Sequence, residues 1–456
     1  MEFKKWMKRA VQHLTGQELE RIWEEKSSIS ERMKEGLKLW CAMYDNTPPW
    51  TNERVKSLNL PAAIAAETAR LATIELRSEI TGSERAAYLN KMYQPVLAQL
   101  RRYVEYGCAK GGLVMKPYVS GGRILIDFIQ ADDFYPMAFD SSGRITAAVF
   151  TDRFLLNGKI YTRLECHEMK EDGYCVRNRA FVSRVRGNLG REVPLNEVAE
   201  WENVVQEVTI QNIKSPLFAY FKVPYANAVD TDSPLGVSVF ARAVDLIREA
   251  DRQYSRLLWE FESGERALYV SDMAFRLDEK GRAQIPDKRL YRLLGIDQGG
   301  DDLFSDWTPN LREENILRGL NAILRKIEFN CGLAYGTLSD VDNVDKTAEE
   351  IRASKQRSYS MICDVQKSLR LALCELIDAM NVLCSLYHLA PEGICDKTFD
   401  FDDSIVADRA TEFSEKQQLL QEGILQPWEF RMWYFGESEQ RAKEAVGERV
   451  FKMGDK

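Results

Sequence analysis

Histidine is scarce: the chain has three in 456 residues, His13, His167 and His388. His167 follows Cys166 in a predicted strand, where adjacent side chains point to opposite faces, so the two cannot form a dyad. The nine cysteines are odd in number and scattered, and no C-x-x-C pair occurs. A zinc site wants four Cys or His ligands at short spacings, and a disulfide framework wants an even, patterned set. Reduced thiols in a cytosolic product are expected instead. There is no glycine-rich phosphate loop and no G-x-S-x-G elbow. No run of 18 or more apolar residues exists, so no transmembrane span is expected. Residues 1–14 lack the continuous apolar stretch of a secretory signal. A basic surplus is also missing: 62 Lys and Arg face 70 Asp and Glu, for a net charge of −8. Tight, sequence-independent gripping of phosphates requires the opposite sign.

What is present is an ordinary globular composition, 45% hydrophobic and 29% charged, in a chain long enough for roughly three domain-sized units. The first hundred residues read as helical. Phe3, Trp6, Met7, Ala10, Val11 and Leu14 share one helical face, which suits docking on the body of the protein or lying on a membrane surface. Charged helical periodicity covers 17–43 and ends at Asn46-Thr47-Pro48-Pro49. Helix is predicted again over 61–80 and 83–107, with Pro95 expected to kink or split the second.

Residues 108–225 then alternate with strand period. A hairpin is predicted from 113–119 and 123–129, and Asn157-Gly158 marks a second turn. Further strands are expected at 145–150, 154–156, 159–161, 164–169, 175–182, 207–213 and 217–223. Ser233-Pro234 resembles a helix start, cap followed by proline at the first turn, opening a predicted rod of about 45 Å to Gly264. After an irregular excursion over 266–309, with short strands near 267–270 and 291–294, a second amphipathic helix is predicted over 311–330. A Gly/Asp-rich interruption follows at 332–346. Thr347, with Glu350 three residues on, forms a capping box for a helix reaching 389, about 65 Å if unbroken. A strand at 398–405 and short helices at 410–422, 426–435 and 437–451 complete the chain. The fold class is α+β, mainly helical, with an inserted β-rich unit and a long kinked helix.

Asp400, Asp402, Asp403 and Asp408 form the best catalytic candidate. Asp400 and Asp402 share a strand face, where a nuclease or phosphohydrolase would hold a divalent ion. The same residues suit a solvated strand end and a helix cap, the reading that Asp pairs favour. Asp340, Asp342 and Asp345 alternate as in a calcium loop, but the glycine and terminal Glu of that motif are missing. No catalytic residue, metal or cofactor is assigned.

Three strings mark the order of these elements. They are Ser233-Pro234-Leu235-Gly236 before the first rod, Lys346-Thr347-Ala348-Glu349-Glu350-Ile351 before the long helix, and Phe399-Asp400-Phe401-Asp402-Asp403-Ser404-Ile405 near the end. In that order the chain resembles the portal proteins of long-tailed double-stranded DNA phages, in the branch found in temperate phages of Gram-positive bacteria.

The resemblance implies a division of labour. Residues 1–232 and 347–405 would build the wing, 233–264 and 310–331 the two stem helices, 265–309 the clip, and 406–456 a small crown. The loop within 332–346, carrying Ser339, Asp340, Val341, Asp342, Asn343, Val344, Asp345 and Lys346, would be the tunnel loop. Lys346 there either touches DNA or merely faces water. It also implies a ring, dodecameric in the family, at one capsid vertex of the virion, assembled in the host cytoplasm. Its partners would be sister copies, double-stranded DNA, the terminase large subunit, a head-completion adaptor, and scaffold or major capsid protein, with no membrane role. Arg248, Arg252, Tyr254, Arg256, Trp259 and Phe261 on the first stem helix would then face neighbouring subunits, although a monomer core would equally use the aromatics. Twelve copies at −8 each carry about −96, a largely repulsive lining past which DNA could slide.

Overall fold

The computed structural model describes residues 22–23, 28–185, 188–271, 290–294, 304–340, 348–401, 409–435, 439 and 441–446. The amphipathic stretch before Ile22 therefore lies outside the described residues. The chain divides into a large unit, 1–74 with 78–399, and a small one, 75–77 with 400–456.

In the large unit, helix α1 (Glu31–Tyr44) starts where the Ser30 hydroxyl accepts the Met33 N–H at 3.2 Å. The predicted helix over 17–43 is thus interrupted at 28–30. Helix α2 (Leu60–Thr73) carries Pro61 in its first turn, where no N–H is needed. Its expected continuation to residue 80 fails. Strand β1 (Leu76–Thr81) forms instead, with Ser78 and Ile80 buried and Arg77, Glu79 and Thr81 exposed, a period of two. Helix α3 (Glu84–Lys110) is capped by Ser83 and ends at Gly111, φ +89°. Pro95 does not split it. The proline is exposed, while Leu89, Tyr93, Val96, Leu100, Val104 and Cys108 form an unbroken buried row at three- and four-residue steps.

The β-rich unit is present. Strands β2 (Gly112–Ser120) and β3 (Arg123–Gln130) are the predicted hairpin. They are followed by β4 (Phe134–Phe139), β5 (Ile145–Leu156), β6 (Lys159–Lys170), β7 (Gly173–Ser183), β8 (Arg191–Val193), β9 (Glu207–Ile210) and β10 (Ala219–Lys222). A three-stranded sheet runs β10-β2-β3, and a six-stranded one runs β4-β5-β6-β7-β8 with β9 also on β7. Asn157 and Gly158 both take positive φ, +52° and +72°, as a tight two-residue hairpin requires. The strands on either side are each longer and less divided than the sequence suggests, because paired neighbours carry them through their polar residues.

A buried ionic joint links the two sheets. Lys116 on β2 donates to Glu165 on β6 at 2.7 Å, and Arg163 reaches the same carboxylate at 3.2 Å. Burial opposes ionisation of Glu165, but Lys116, His167 and Arg163 outweigh it and hold the carboxyl well below its usual range. Burial keeps His167 neutral by lowering its pKa. A neutral ring 2.6 Å from the carboxylate must donate through Nε2, which leaves Nδ1 to accept from the Tyr174 hydroxyl at 2.7 Å. Cys166 faces the other way, into a core with Tyr135, Val149, Leu164 and Phe181, as strand alternation predicts.

Helix α4 (Val244–Ser263) begins ten residues later than Ser233-Pro234 suggests and is about 30 Å long rather than 45. Residues 233–240 are non-helical and buried, with Val237, Ser238, Val239 and Phe240 nearly inaccessible. Here the chain crosses the end of α3. The Val239 N–H bonds the Cys108 carbonyl at 2.9 Å, and a Cβ on Gly236 would lie 2.0 Å from the Gly111 carbonyl oxygen. Glycines at the crossing let the backbones touch, and that contact overrides the local helix signal. Beyond α4 come β11 (Ala267–Ser271), β12 (Tyr291–Leu294) and β13 (Phe304–Trp307), with β11 central, parallel to β12 and antiparallel to β13. Strand β13 was not evident in the sequence.

Helix α5 (Glu313–Asn330) and the long α6 (Ala348–Leu386) follow. The second half of α6 buries Leu369, Leu373, Leu376, Ile377 and Met380, packing on β2 and β10. Strand β14 (Asp396–Phe401) pairs with β1. In the small unit, α7 (Arg409–Gln421) and α8 (Pro427–Phe435) meet through aromatics, Phe413 against Phe430 at 5.6 Å and against Tyr434 at 5.5 Å. The chain is 45% helix and 24% strand, so helix leads but strand has an ordinary share.

Candidate functional site

The two rods α4 and α5 pack side by side as an antiparallel hairpin. Ile247, Ala250 and Leu257 from one, and Leu320 and Ile327 from the other, are its buried apolar residues. At the turn end the Glu260 carboxylate accepts from the Arg312 N–H at 2.9 Å and its guanidinium at 3.1 and 2.8 Å. Those bonds hold the Glu260 carboxyl below its usual range. A Cβ on Gly264 would strike Leu311 at 2.3 Å, so the hairpin closes on a bare backbone.

Midway along α4 sits a buried carboxylate, Asp251. It accepts the Trp50 indole N–H and the Leu58 N–H, both at 2.8 Å, while Ser255 accepts from the Lys56 N–H at 2.8 Å. Residues 50–58 are thereby strapped across the rod. Burial raises the Asp251 pKa, partly offset by those two donors.

The outer surface of the hairpin is apolar in places. Trp259 is 64% exposed, Phe329 54%, Phe261 46% and Leu317 45%. Trp259 and Phe261, two residues apart on one helix, point to opposite sides, so these groups are spread over more than one side of the hairpin. Of the other residues singled out on this rod, Tyr254 is half-buried. Arg248 pairs with Asp245 at 3.0 Å, Arg252 with Glu249 at 2.6 Å, and Arg256 donates to Gln253 at 3.3 Å. These arginines are thus engaged along their own helix.

At its far end α5 holds the root of the predicted loop. Glu328, fully buried, accepts N–H groups of Gly336, Leu338 and Ser339 and the Ser339 hydroxyl. Asn321, one heptad earlier on the same face, pairs with both backbone groups of Asp340. Ser339 and Asp340 of the predicted loop are therefore placed; Val341, Asp342, Asn343, Val344, Asp345 and Lys346 lie outside the described residues. The Tyr225 hydroxyl donates to the Cys331 carbonyl at 3.0 Å. Arg357 of α6 lies 4.4 Å over the Phe329 ring and 5.4 Å from that of Tyr335.

Sequence reasoning overlooked Asp251, Asn321 and Glu328. The available signal was a polar residue interrupting the apolar stripe of an amphipathic helix, as Asn321 and Glu328 do beside Leu320 and Ile327. Asp400 is exposed on β14, whereas Asp402, Asp403 and Asp408 lie outside the described residues. Among the described residues, no group of three or more His, Cys, Asp or Glu is placed to hold a metal ion. No described helix is long and apolar enough to cross a membrane.

No curated protein matches the chain. A family model does, the one described as "Phage portal protein, SPP1 Gp6-like", over residues 98–444 of the 456. That match begins inside α3 and takes in the β-rich unit, the hairpin, the loop root, the long helix and most of the small unit, so the chain belongs to the SPP1 Gp6-like family of phage portal proteins, a structural family of the capsid vertex rather than a class of enzymes.

Proposed function

We propose that copies of this chain close into a ring at one vertex of a phage capsid and that double-stranded DNA passes through its centre during packaging and ejection. In this reading α4 and α5 are the stem, the β11–β13 sheet belongs to the clip that meets the terminase and later the head-completion adaptor, and residues 339–346 line the channel. The observation that carries it is the set of large apolar side chains left exposed on more than one side of the stem hairpin, as a subunit flanked by two neighbours would have. A hairpin that leaves Trp259, Phe261 and Leu317 in water gains by packing against a sister copy, and a heterologous contact repeated head to tail closes a ring. Twelve copies follow the family habit.

Mass measurement of the purified particle, with negative-stain imaging, tests this. Rings with a central hole are expected. Trp259→Asp combined with Leu317→Asp should leave a monomer whose circular dichroism matches that of wild type, because both side chains are solvent-facing in the single chain, while its melting falls below that of the ring, which the contacts between copies stabilise. A wild-type protein that stays monomeric at every concentration and salt would overturn the reading.

A further inference from the structure

Resting on that reading, we infer that Glu328 and Asn321 are the positioning residues of the channel loop: they latch its root to the second stem helix, so that the loop moves with α5. The geometry is specific. One oxygen of Glu328 accepts the N–H groups of Gly336 at 3.1 Å, Leu338 at 2.7 Å and Ser339 at 2.8 Å, and the other accepts the Ser339 hydroxyl at 2.8 Å. Asn321 accepts the Asp340 N–H at 2.7 Å and donates to the Asp340 carbonyl at 3.2 Å. The chain is thus gripped at every residue from 338 to 340, and Asp340 emerges exposed.

A carboxylate suits this task because it only accepts, with about four lone-pair sites for converging donors. An amide could keep its oxygen on the three N–H groups only by turning its NH2 onto the Ser339 hydroxyl as acceptor, and it would lose the charge that strengthens all four bonds. Burying a charge on the packed face of a helix is costly unless every lone pair is used, and here it is spent on the backbone of a single short segment. Seven residues separate Asn321 from Glu328, which puts them two turns apart on one face and aligns the gripped strand along the helix axis. The end of α5 is itself tied down: Tyr225 holds the Cys331 carbonyl, and Arg357, near the start of α6, covers Phe329 and Tyr335. A load on the loop would therefore be borne by α5 and passed along the stem.

The test compares the assembled wild-type protein with Glu328→Gln, and with Asn321→Ala plus Ser339→Ala, which keeps the carboxylate. Amide hydrogen exchange is read over 336–340 and over α5, and DNA packaged per prohead is measured in parallel. Exchange at 336–340 is expected to rise about tenfold or more in both variants while α5 stays protected, with unchanged rings and packaging reduced about tenfold. Unchanged exchange in either variant would overturn the latch. So would a loosened root with packaging at the wild-type level, because the loop would then not need positioning. Failure of the wild type to form rings would instead strike the portal reading and leave the exchange result standing.

Discussion

The joint of Lys116, Glu165 and His167 makes the β-rich unit sensitive to acid in a defined way. His167 titrates below its ordinary 6.5 in the folded chain, because burial penalises the charged ring. The unfolded chain therefore takes up a proton first, and stability falls as pH drops through about 6.5, levelling off below the folded value. Glu165 acts in the same direction lower down: its folded pKa lies below 4.5, so the stability it contributes is present above that value and lost as pH falls through the folded one. Melting from about pH 7.5 to about pH 5.5 should show a decline that His167→Gln lacks, since glutamine does not titrate. Equal slopes in the two proteins would refute this. Lys116→Met removes one cation from a carboxylate still faced by Arg163 and His167, and should cost about 3 kcal/mol in urea unfolding, the low end for breaking a buried pair.

The crossing of residues 233–240 over the end of α3 explains what could and could not be read in advance. Helices α3, α5 and α6, the β2–β3 hairpin and the Asn157-Gly158 turn were legible because their apolar period and turn residues act over a few neighbours. The late start of α4 was not, since the reason lies more than a hundred residues away, in Gly111 and Cys108. Strand β1 was overlooked because an alanine-rich helix runs directly into it, and β13 because it is four residues long and owes its pairing to β11. The portal-like order of elements was visible, while the carboxylates that fix them were not: nothing local tells Asp251 from a solvent-facing acid on a charged helix. Gly236→Ala should abolish soluble expression, because its Cβ would sit 2.0 Å from a carbonyl oxygen of backbone that has no room to retreat. Gly121→Ala, at φ +57° with nothing within 4 Å, should cost only about 1 kcal/mol. Asp251→Ala orphans the Trp50 and Leu58 donors and should lower stability by about 1–3 kcal/mol while opening 50–58 to proteases; a strap that stays protected would show it is held by other contacts.

The proposed ring would have a further property that follows from the chain's sign of charge. A protein that grips DNA neutralises phosphates and releases counterions, so its affinity is high at low salt and falls steeply as salt rises. This chain carries −8 per copy, and Arg248 and Arg252 of α4 are already paired with Asp245 and Glu249. In the proposed ring the copies would therefore add up to a repulsive field, with these two cations partly spent on their own helix. If the ring conducts DNA as proposed, this sign of charge favours sliding, because a weakly held duplex meets little friction. Anisotropy titration of a short duplex with purified rings should give a Kd no tighter than about 10 µM at about 0.15 M salt, with a shallow salt dependence. Replacing Asp245 and Glu249 by their amides frees both arginines, and should tighten binding and steepen the salt slope if those side chains face the channel. Submicromolar binding by the wild type would mean that the lining grips its cargo, and the sliding-channel argument would fail on electrostatic grounds alone.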